Sequence, residues 1–516
     1  METSLSKLQK VTISQEKRII KLQDCLEEQK RQKIEAQKML QYYKDNTEKM
    51  LEQAVNKANA ELLEENQKLK NEIEHLKRIL NHDSNNCGIP TSKTPIGRQK
   101  RIPNSRQVSS RTKGGQIGHK KSKLEKFSED EITETRVYSI EQKCECGGNL
   151  KLIGKRCKDE FDIDIRLNKI RHEFCEYECD CCHHEIKVPV PKHLKEENQY
   201  GSNLQALAVS LVNEGCVSFH RVKELISGFT NNEVNMSEGY IVKLQKRCYE
   251  KLADFDNELH KKILQQSVIN WDDTVIDINK KQSCLRFYGT DKLAYYKAHE
   301  KKDKIGLDED QILQNLSKYT VVVHDHNKVN YNDDYDFTNA ECCVHLIRDL
   351  KELNENLPRT WIDKLINLLI TTNNKRKDYI NQSIMYFDQE VSDKVIEEYD
   401  QIISEAQEIN KNNFNSYYGH DEQKIIKRLI EYKQNYLLWV LRFDVPFSNN
   451  LSERSLRSSK TKMKVSGQFS NLTNAEYYAR IKSYIETCKR NNINPHSALQ
   501  RLIDDNPYTI EEMKID

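Results

Sequence analysis

Val268-Ile269-Asn270-Trp271-Asp272-Asp273-Thr274 is a short, mostly apolar run that ends in carboxylates. Tyr319-Thr320-Val321-Val322-Val323-His324-Asp325 repeats the device with a β-branched run ending in aspartate. Each reads as a strand that delivers an acid to a site. Between them, Cys284 to Gly289 and Leu293 to Ala298 are further strand-like runs. Three antiparallel strands, a helix and one more strand are therefore expected, and neighbouring strands can set Asp272 and Asp325 side by side. Two close carboxylates repel each other unless a cation neutralises them, so the pair implies a divalent metal. The plainer reading of either acid is a turn residue at a strand end.

A third acid is offered by Asn449-Asn450-Leu451-Ser452-Glu453-Arg454-Ser455-Leu456-Arg457, which places Glu453 near a helix start. Two readings stay open here: Glu453 as a metal ligand, or Asn450 as N-cap with Glu453 as its capping-box partner. The long interval before it, about 358–436, is helix-patterned and highly charged and reads as a helical insertion. Glu476 to Lys489 supplies a last long helix. The strand order and the tipped acids are those of an RNase H-like α/β core, expected over 266–490.

The remaining chain makes this a multidomain α+β protein. Its 516 residues exceed what one hydrophobic core holds, and Lys+Arg at 82 nearly balances Asp+Glu at 80, so the distribution of charge says more than its sum. No run of eighteen apolar residues exists to span a membrane, and Met1 to Gln15 lacks an apolar signal core.

Residues 1–86 read as a coiled coil, since no Pro or Gly occurs before residue 85. Leu62, Leu69 and Leu76 recur every seven residues, with Asn66, Ile73 and Leu80 in the partner positions. A homodimer through this seam is expected; the alternative is one amphipathic helix packed on its own domain. Residues 87–128 form a basic linker, with no acid from Gly88 to Leu124. Arg98, Lys100, Arg101, Arg111, Lys113, His119 and Lys120 are its candidate contacts to DNA phosphates, against the alternative of a plain solvated linker.

Seven of the fifteen cysteines fall between Cys144 and Cys182, which favours a metal site over disulfides. Cys144 and Cys146 in one knuckle, Cys179 and Cys182 in another, would give Zn²⁺ a closed tetrahedral structural site within a 129–200 module. Cys181, His183 and His184 are possible substitutes, a strand is expected at Phe161 to Ile165, and the alternative is a set of reduced, buried cysteines. Residues 201–265 read as helices, with Leu204, Leu207, Ala208 and Leu211 on one face, Val222, Leu225 and Ile226 on another, and Ser237 as a cap. A helix-turn-helix and plain core hairpins are indistinguishable there. Residues 491–516 read as a C-terminal tail.

In order along the chain, these motifs resemble the insertion-sequence-66 family of bacterial transposases. Gly114-Gly115-Gln116-Ile117-Gly118-His119-Lys120 is similar to the signature preceding that family's zinc-binding domain, and Cys146-Gly147-Gly148 and Cys179 to Cys182 to its knuckles. Asp272-Asp273-Thr274 resembles its Asp-Glu-Thr. Cys342-Cys343-Val344-His345-Leu346-Ile347-Arg348-Asp349-Leu350 is close to its Cys-x-x-His-x-x-Arg-Asp-Leu, and Asn449 to Arg457 to its Asn-Asn-x-x-Glu-Arg-x-x-Arg. Asp325-His326-Asn327 stands where the family usually has Asp-Gly-Tyr.

The resemblance implies a DNA transposase with a catalytic Asp272, Asp325 and Glu453 triad holding two Mg²⁺ (or Mn²⁺) ions. Water would first nick the element end, and the freed 3′-hydroxyl would then attack target DNA. Arg454 and Arg457 would hold phosphate, with surface salt bridging as the alternative; His345 has packing, capping and catalytic roles open to it. DNA at element ends and target, accessory proteins, and a cytoplasmic, nucleoid-associated location in a bacterium are implied too. The rivals are an RNase H-like nuclease without strand transfer and a catalytically inactive, transposase-derived zinc and DNA-binding protein.

Overall fold

The computed structural model describes residues 4–81, 126–139, 143, 145–163, 165–191, 194–411 and 417–515. The chain divides into two units, Met1–Ile102 with Asn410–Gln423, and Pro103–Ile409 with Lys424–Asp516.

The first unit is dominated by one helix, α1 (Ser4–Asn81). Its sequence is rich in the straight-chain residues Glu, Lys, Gln and Leu that lose least freedom in a helix. Exposed ion pairs at i,i+4 spacing, such as Glu64 with Lys68 at 2.7 Å, add little each. Leu62, Leu69, Ile73 and Leu76 are each about half exposed, so the apolar seam is not buried among the described residues. Asn66 turns its amide back to the Leu62 carbonyl at 3.1 Å.

The second unit begins with a sparsely structured cysteine-rich segment. Its strands β1 (Glu176–Glu178) and β2 (Glu185–Lys187) pair antiparallel, with Tyr177 opposite Ile186. The strand expected at Phe161 to Ile165 does not form among the described residues of that run. Phe161 and Ile163 are exposed, and among the described residues no strand lies beside them to complete a ladder.

Four helices follow: α2 (Ser202–Asn213), α3 (Phe219–Phe229), α4 (Glu238–Lys251) and α5 (Ala253–Leu264). Ser237 caps α4 as expected, accepting from the Tyr240 N–H at 3.2 Å. The buried face of α2 differs from the expected one. Gln205, Ala206, Ala208, Val209, Val212 and Asn213 are inside, while Leu204, Leu207 and Leu211 are only partly covered. Asn213 Nδ2 donates to Gln245 Oε1 of α4 at 2.9 Å and Gln205 Nε2 to the Tyr200 carbonyl at 2.6 Å, bonds that let both amides lie inside. On α3, Val222 and Ile226 are buried and Leu225 is partly exposed.

The central sheet comprises β3 (Val268–Ile278), β4 (Lys281–Gly289) and β5 (Ala294–His299), then α6 (Lys304–Glu309), β6 (Val321–His324) and β7 (Thr338–Glu341). The strand order is β5-β4-β3-β6-β7. The pairs β3–β4 and β4–β5 are antiparallel, and β3–β6 and β6–β7 are parallel. Asn279 and Lys280, both with positive φ (47° and 62°), make the two-residue turn between β3 and β4. Asp272 thus lies within a long strand and not at its end as expected, because the alternation continues through Ile276 and Ile278.

The chain then runs through α7 (Cys343–Asn356), α8 (Thr360–Asn381), α9 (Gln389–Lys411), α10 (Tyr417–Glu431) and α11 (Lys433–Leu441). It closes with α12 (Asn450–Ser466), α13 (Leu472–Arg490) and α14 (Pro495–Ile503). The sheet is covered on both faces. Val321 and Val323 share a core with Leu346, Leu350, Trp361, Leu365 and Trp439 from the helices after β7. On the opposite face, Ile269, Trp271 and Val322 share one with Leu244, Leu259 and Tyr484. Residues after 490 do not trail off as a tail: Leu499, Leu502, Ile510 and Met513 are buried in that second core.

Candidate active site

The parallel register of β3 and β6 sets the geometry. Val268, Ile269 and Asn270 lie opposite Val321, Val322 and Val323, so Asp272 and Asp325 stand two residues further along adjacent strands. Side chains alternate across a sheet, which puts Asn270, Asp272, Val323 and Asp325 on one face. Asp273 points the other way and pairs with Lys302 at 2.6 Å.

Helix α12 reaches this face through Asn449. Its Oδ1 accepts from Asn270 Nδ2 at 2.9 Å, and its Nδ2 donates to the Trp271 carbonyl at 2.8 Å. Asn449 is fully buried, and Ser452 Oγ donates to the same Oδ1 at 2.9 Å. These bonds fix the start of α12 beside Asp272. The N-cap is Asn449 and not Asn450, and no side chain caps the helix. Glu453 instead turns inward, where its Oε1 lies 3.4 Å from both His345 Nε2 and Arg348 Nη1.

His345, in the first turn of α7, spans the cluster. Its Nδ1 lies 2.9 Å from Asp325 Oδ1, and Arg348 Nη1 lies 3.0 Å from its Nε2. Burial pulls the imidazole down, but Asp325 and Cys342 outweigh burial and push it up to about 11. Burial is also the main cause at Asp272, and there Asp325 and Asp273 act with it. Together they push the Asp272 carboxyl up to about 7, against a smaller opposing pull from Lys460. Asp349 of the same motif is turned away to Arg428 at 2.8 Å and ties α7 to α10.

The structure therefore brings Asp272, Asp325, Glu453 and His345 together. Arg457 is exposed and 3.9 Å from Glu453, and Arg454 is exposed. Among the described residues, Asp325, Cys342 and His345 are the one group of three whose donor atoms could hold a metal ion, all within 4.8 Å of one another. Asn270, Cys342, Arg348, Asn449 and Lys460 were not singled out by the sequence as site residues. Cys342, Arg348 and Asn449 do lie inside the quoted motifs.

Elsewhere, Cys144 and the basic positions Arg98, Lys100, Arg101, Arg111, Lys113, His119 and Lys120 lie outside the described residues. Cys146, Cys181 and Cys182 are exposed and Cys179 is partly so, which removes the reading of buried cysteines. Cys179 accepts hydrogen bonds from the backbone N–H groups of Cys182 and Cys181 and from the Cys182 side chain, and these hold its thiol below the usual range. No helix among the described residues is long and apolar enough to cross a membrane.

No curated protein matches the chain. The family described as Transposase IS66 family matches residues 197–477, which takes in α2 through the first turns of α13 and all three acids, and leaves out α1 and the cysteine-rich segment. With just over half of the chain inside that match, and the acids meeting on one face of its sheet, the protein belongs to the IS66 family of transposases.

Proposed function

We propose that this transposase cuts element-end DNA and joins it to target DNA at Asp272, Asp325 and Glu453, on an RNase H-like core. The observation that carries the reading is the parallel β3–β6 register, which sets two acids on the face where α12 presents the third. The mixed sheet of three antiparallel strands followed by two parallel ones supports the RNase H-like assignment.

The site fits hard divalent cations, Mg²⁺ or Mn²⁺. Its donors are carboxylate oxygens, and Asp325 Oδ1 is buried without an aligned hydrogen-bond partner. Asp272, Asp325 and Glu453 would hold the ions. Such ions activate the attacking oxygen and stabilise the leaving one. The protein's own part is orientation: Asn449 fixes α12 on β3, and His345 and Arg348 hold Glu453. Arg457 and Lys460 follow Glu453 by four and seven residues, are exposed, and lie on its helical face where a phosphate would pass. Incubating the protein with Mg²⁺ and a labelled duplex carrying the native element end tests this. Cleavage followed by joining is expected; cleavage without joining would leave only a nuclease.

The same proposal assigns 1–86 to a coiled coil, 87–128 to DNA contact, 129–200 to a zinc module, 201–265 to a helical domain, 266–490 to the catalytic domain with its insertion, and 491–516 to the C-terminal segment. Helix α1 is the best-supported of the outer assignments, because its Leu62-Leu69-Ile73-Leu76 seam is about half exposed and would be buried by a partner helix. Light scattering at micromolar concentration is expected to give a dimer for the full chain and a monomer for a chain beginning at Gly88. A monomer for both would remove the coiled-coil assignment.

For the cysteine-rich segment, about one equivalent of tightly bound zinc is expected after purification under reducing conditions without chelator. The support is the pair of backbone N–H groups aimed at Cys179, which stabilise a thiolate ligand. Replacing Cys179 and Cys182 by serine should release that zinc and unfold the segment, as structural zinc contributes folding energy directly. Elemental analysis that finds no zinc would refute it.

A further inference from the structure

The cluster at the start of α7 holds donors that a hard cation does not need. Asp325, Cys342 and His345 offer oxygen, sulfur and nitrogen within 4.8 Å. Cys342 is the N-cap residue of α7 and almost fully buried, and its sulfur accepts the Asn449 backbone N–H at 3.2 Å. Asp325 Oδ1 and His345 Nδ1 are buried and 2.9 Å apart, yet neither completes an aligned hydrogen bond. Two buried polar atoms thus converge on one point beside a sulfur. Magnesium takes near-octahedral oxygen, whereas thiolate with imidazole and one carboxylate is the set that suits zinc and its neighbours.

We propose that Asp325, Cys342 and His345 form a binding site for a thiophilic transition-metal ion such as Zn²⁺, at the edge of the carboxylate cluster and sharing Asp325 with it. The surroundings provide for the protons. Without the ion, Nδ1–H faces Asp325 and Nε2 lies 3.0 Å from Arg348 Nη1; the Nδ1 proton passes to water as the ion binds. With the ion on Nδ1, the ring proton sits on Nε2 and faces Glu453 Oε1, 3.4 Å away, the type of carboxylate that orients a ligating histidine. Arg348 is 42% exposed and can swing into solvent. The Cys342 thiol gives its proton to water as the sulfur binds. An ion held here takes an Asp325 oxygen away from the Mg²⁺ position, so the site is inhibitory; this last step rests on the function proposed above.

The test uses the full chain with all seven cysteines from Cys144 to Cys182 replaced by serine, which removes the thiols of the cysteine-rich segment, and Co²⁺ as a spectroscopic probe. A thiolate-to-cobalt charge-transfer band is expected at one equivalent. Cys342→Ser should abolish it, and His345→Ala should weaken Co²⁺ binding by at least roughly 100-fold, since losing a ligand costs no less than losing its orienting partner. Should Cys342→Ser fail to fold, the His345→Ala affinity decides alone. No band, or a band and an affinity unchanged in the variants, overturns the site. The readout is independent of catalysis: a Cys342-dependent band in a protein that never cuts DNA upholds the site and defeats the proposed function. Where cleavage does occur, Zn²⁺ should inhibit it in Mg²⁺, and Cys342→Ser should shift the half-inhibitory zinc concentration upward, each protein being compared with its own zinc-free rate.

Discussion

Glu453→Gln is expected to abolish cleavage of element-end DNA in Mg²⁺, lowering the single-turnover rate by at least roughly 1,000-fold, or about 4 kcal/mol of transition-state stabilisation. DNA binding should stay within a few-fold. Glutamine matches glutamate in size, so the packing of α12 survives, and the loss reads the charge alone. The side chain carries no capping bond whose removal would fray the helix, since α12 begins at Asn450 without a side-chain cap. What it does carry is its approach to His345 and Arg348 at the edge of the aspartate pair. Asp272→Asn and Asp325→Asn should behave alike, because each of the three carboxylates would hold an ion that the reaction needs. Normal cutting by the Glu453→Gln protein, with binding followed by mobility shift, would defeat the triad.

Asp272→Asn has a second, opposite effect that needs no DNA. In the metal-free protein the Asp272 carboxyl stands at about 7, raised by burial first and then by Asp325 and Asp273. An unfolded aspartate ionises near about 3.9. With the folded value above the unfolded one, folding carries no penalty from this group below about pH 4. The penalty grows as pH rises through the window between the two values, and it is complete above about 7. Asparagine cannot ionise and escapes it. The variant is therefore expected to melt several degrees higher than the wild type at pH 8, from a gain on the order of a few kcal/mol, and at almost the same temperature at pH 4. Added Mg²⁺ should stabilise the wild type at pH 8 and the variant much less. An equal gain at both pH values would show that repacking, not charge, is responsible.

Much of the sheet was legible because its strands are written in β-branched and aromatic runs. Its extent was not, since Asn279-Lys280 is a weak turn signal and the alternation of Val275 to Ile278 reads as easily for a loop edge as for a strand. That is why Asp272 was expected at a strand tip and lies within one. The face of α2 was misread for a different reason: Gln205 and Asn213 are buried by hydrogen bonds, and a pattern of apolar residues cannot register them. The candidate site divides in the same way. Asp272 and Asp325 announce themselves by position, whereas the sequence around Glu453 fits a cap as well as a ligand, and only the direction of the side chain separates the two. Asn449 and Cys342 act through partners far off in the chain, on β3 and beside Asp325, and such pairings have no local signature.

The helices α8 to α11 stand between Asp325 and Glu453 in the chain. Closing so long a loop is slow and is rewarded only when α12 docks on β3 through Asn449. A ribosome-bound chain that has reached β7 therefore owns both aspartates and nothing to complete them. On the proposed function, cutting of DNA would have to wait until α12 has left the exit tunnel and docked on β3.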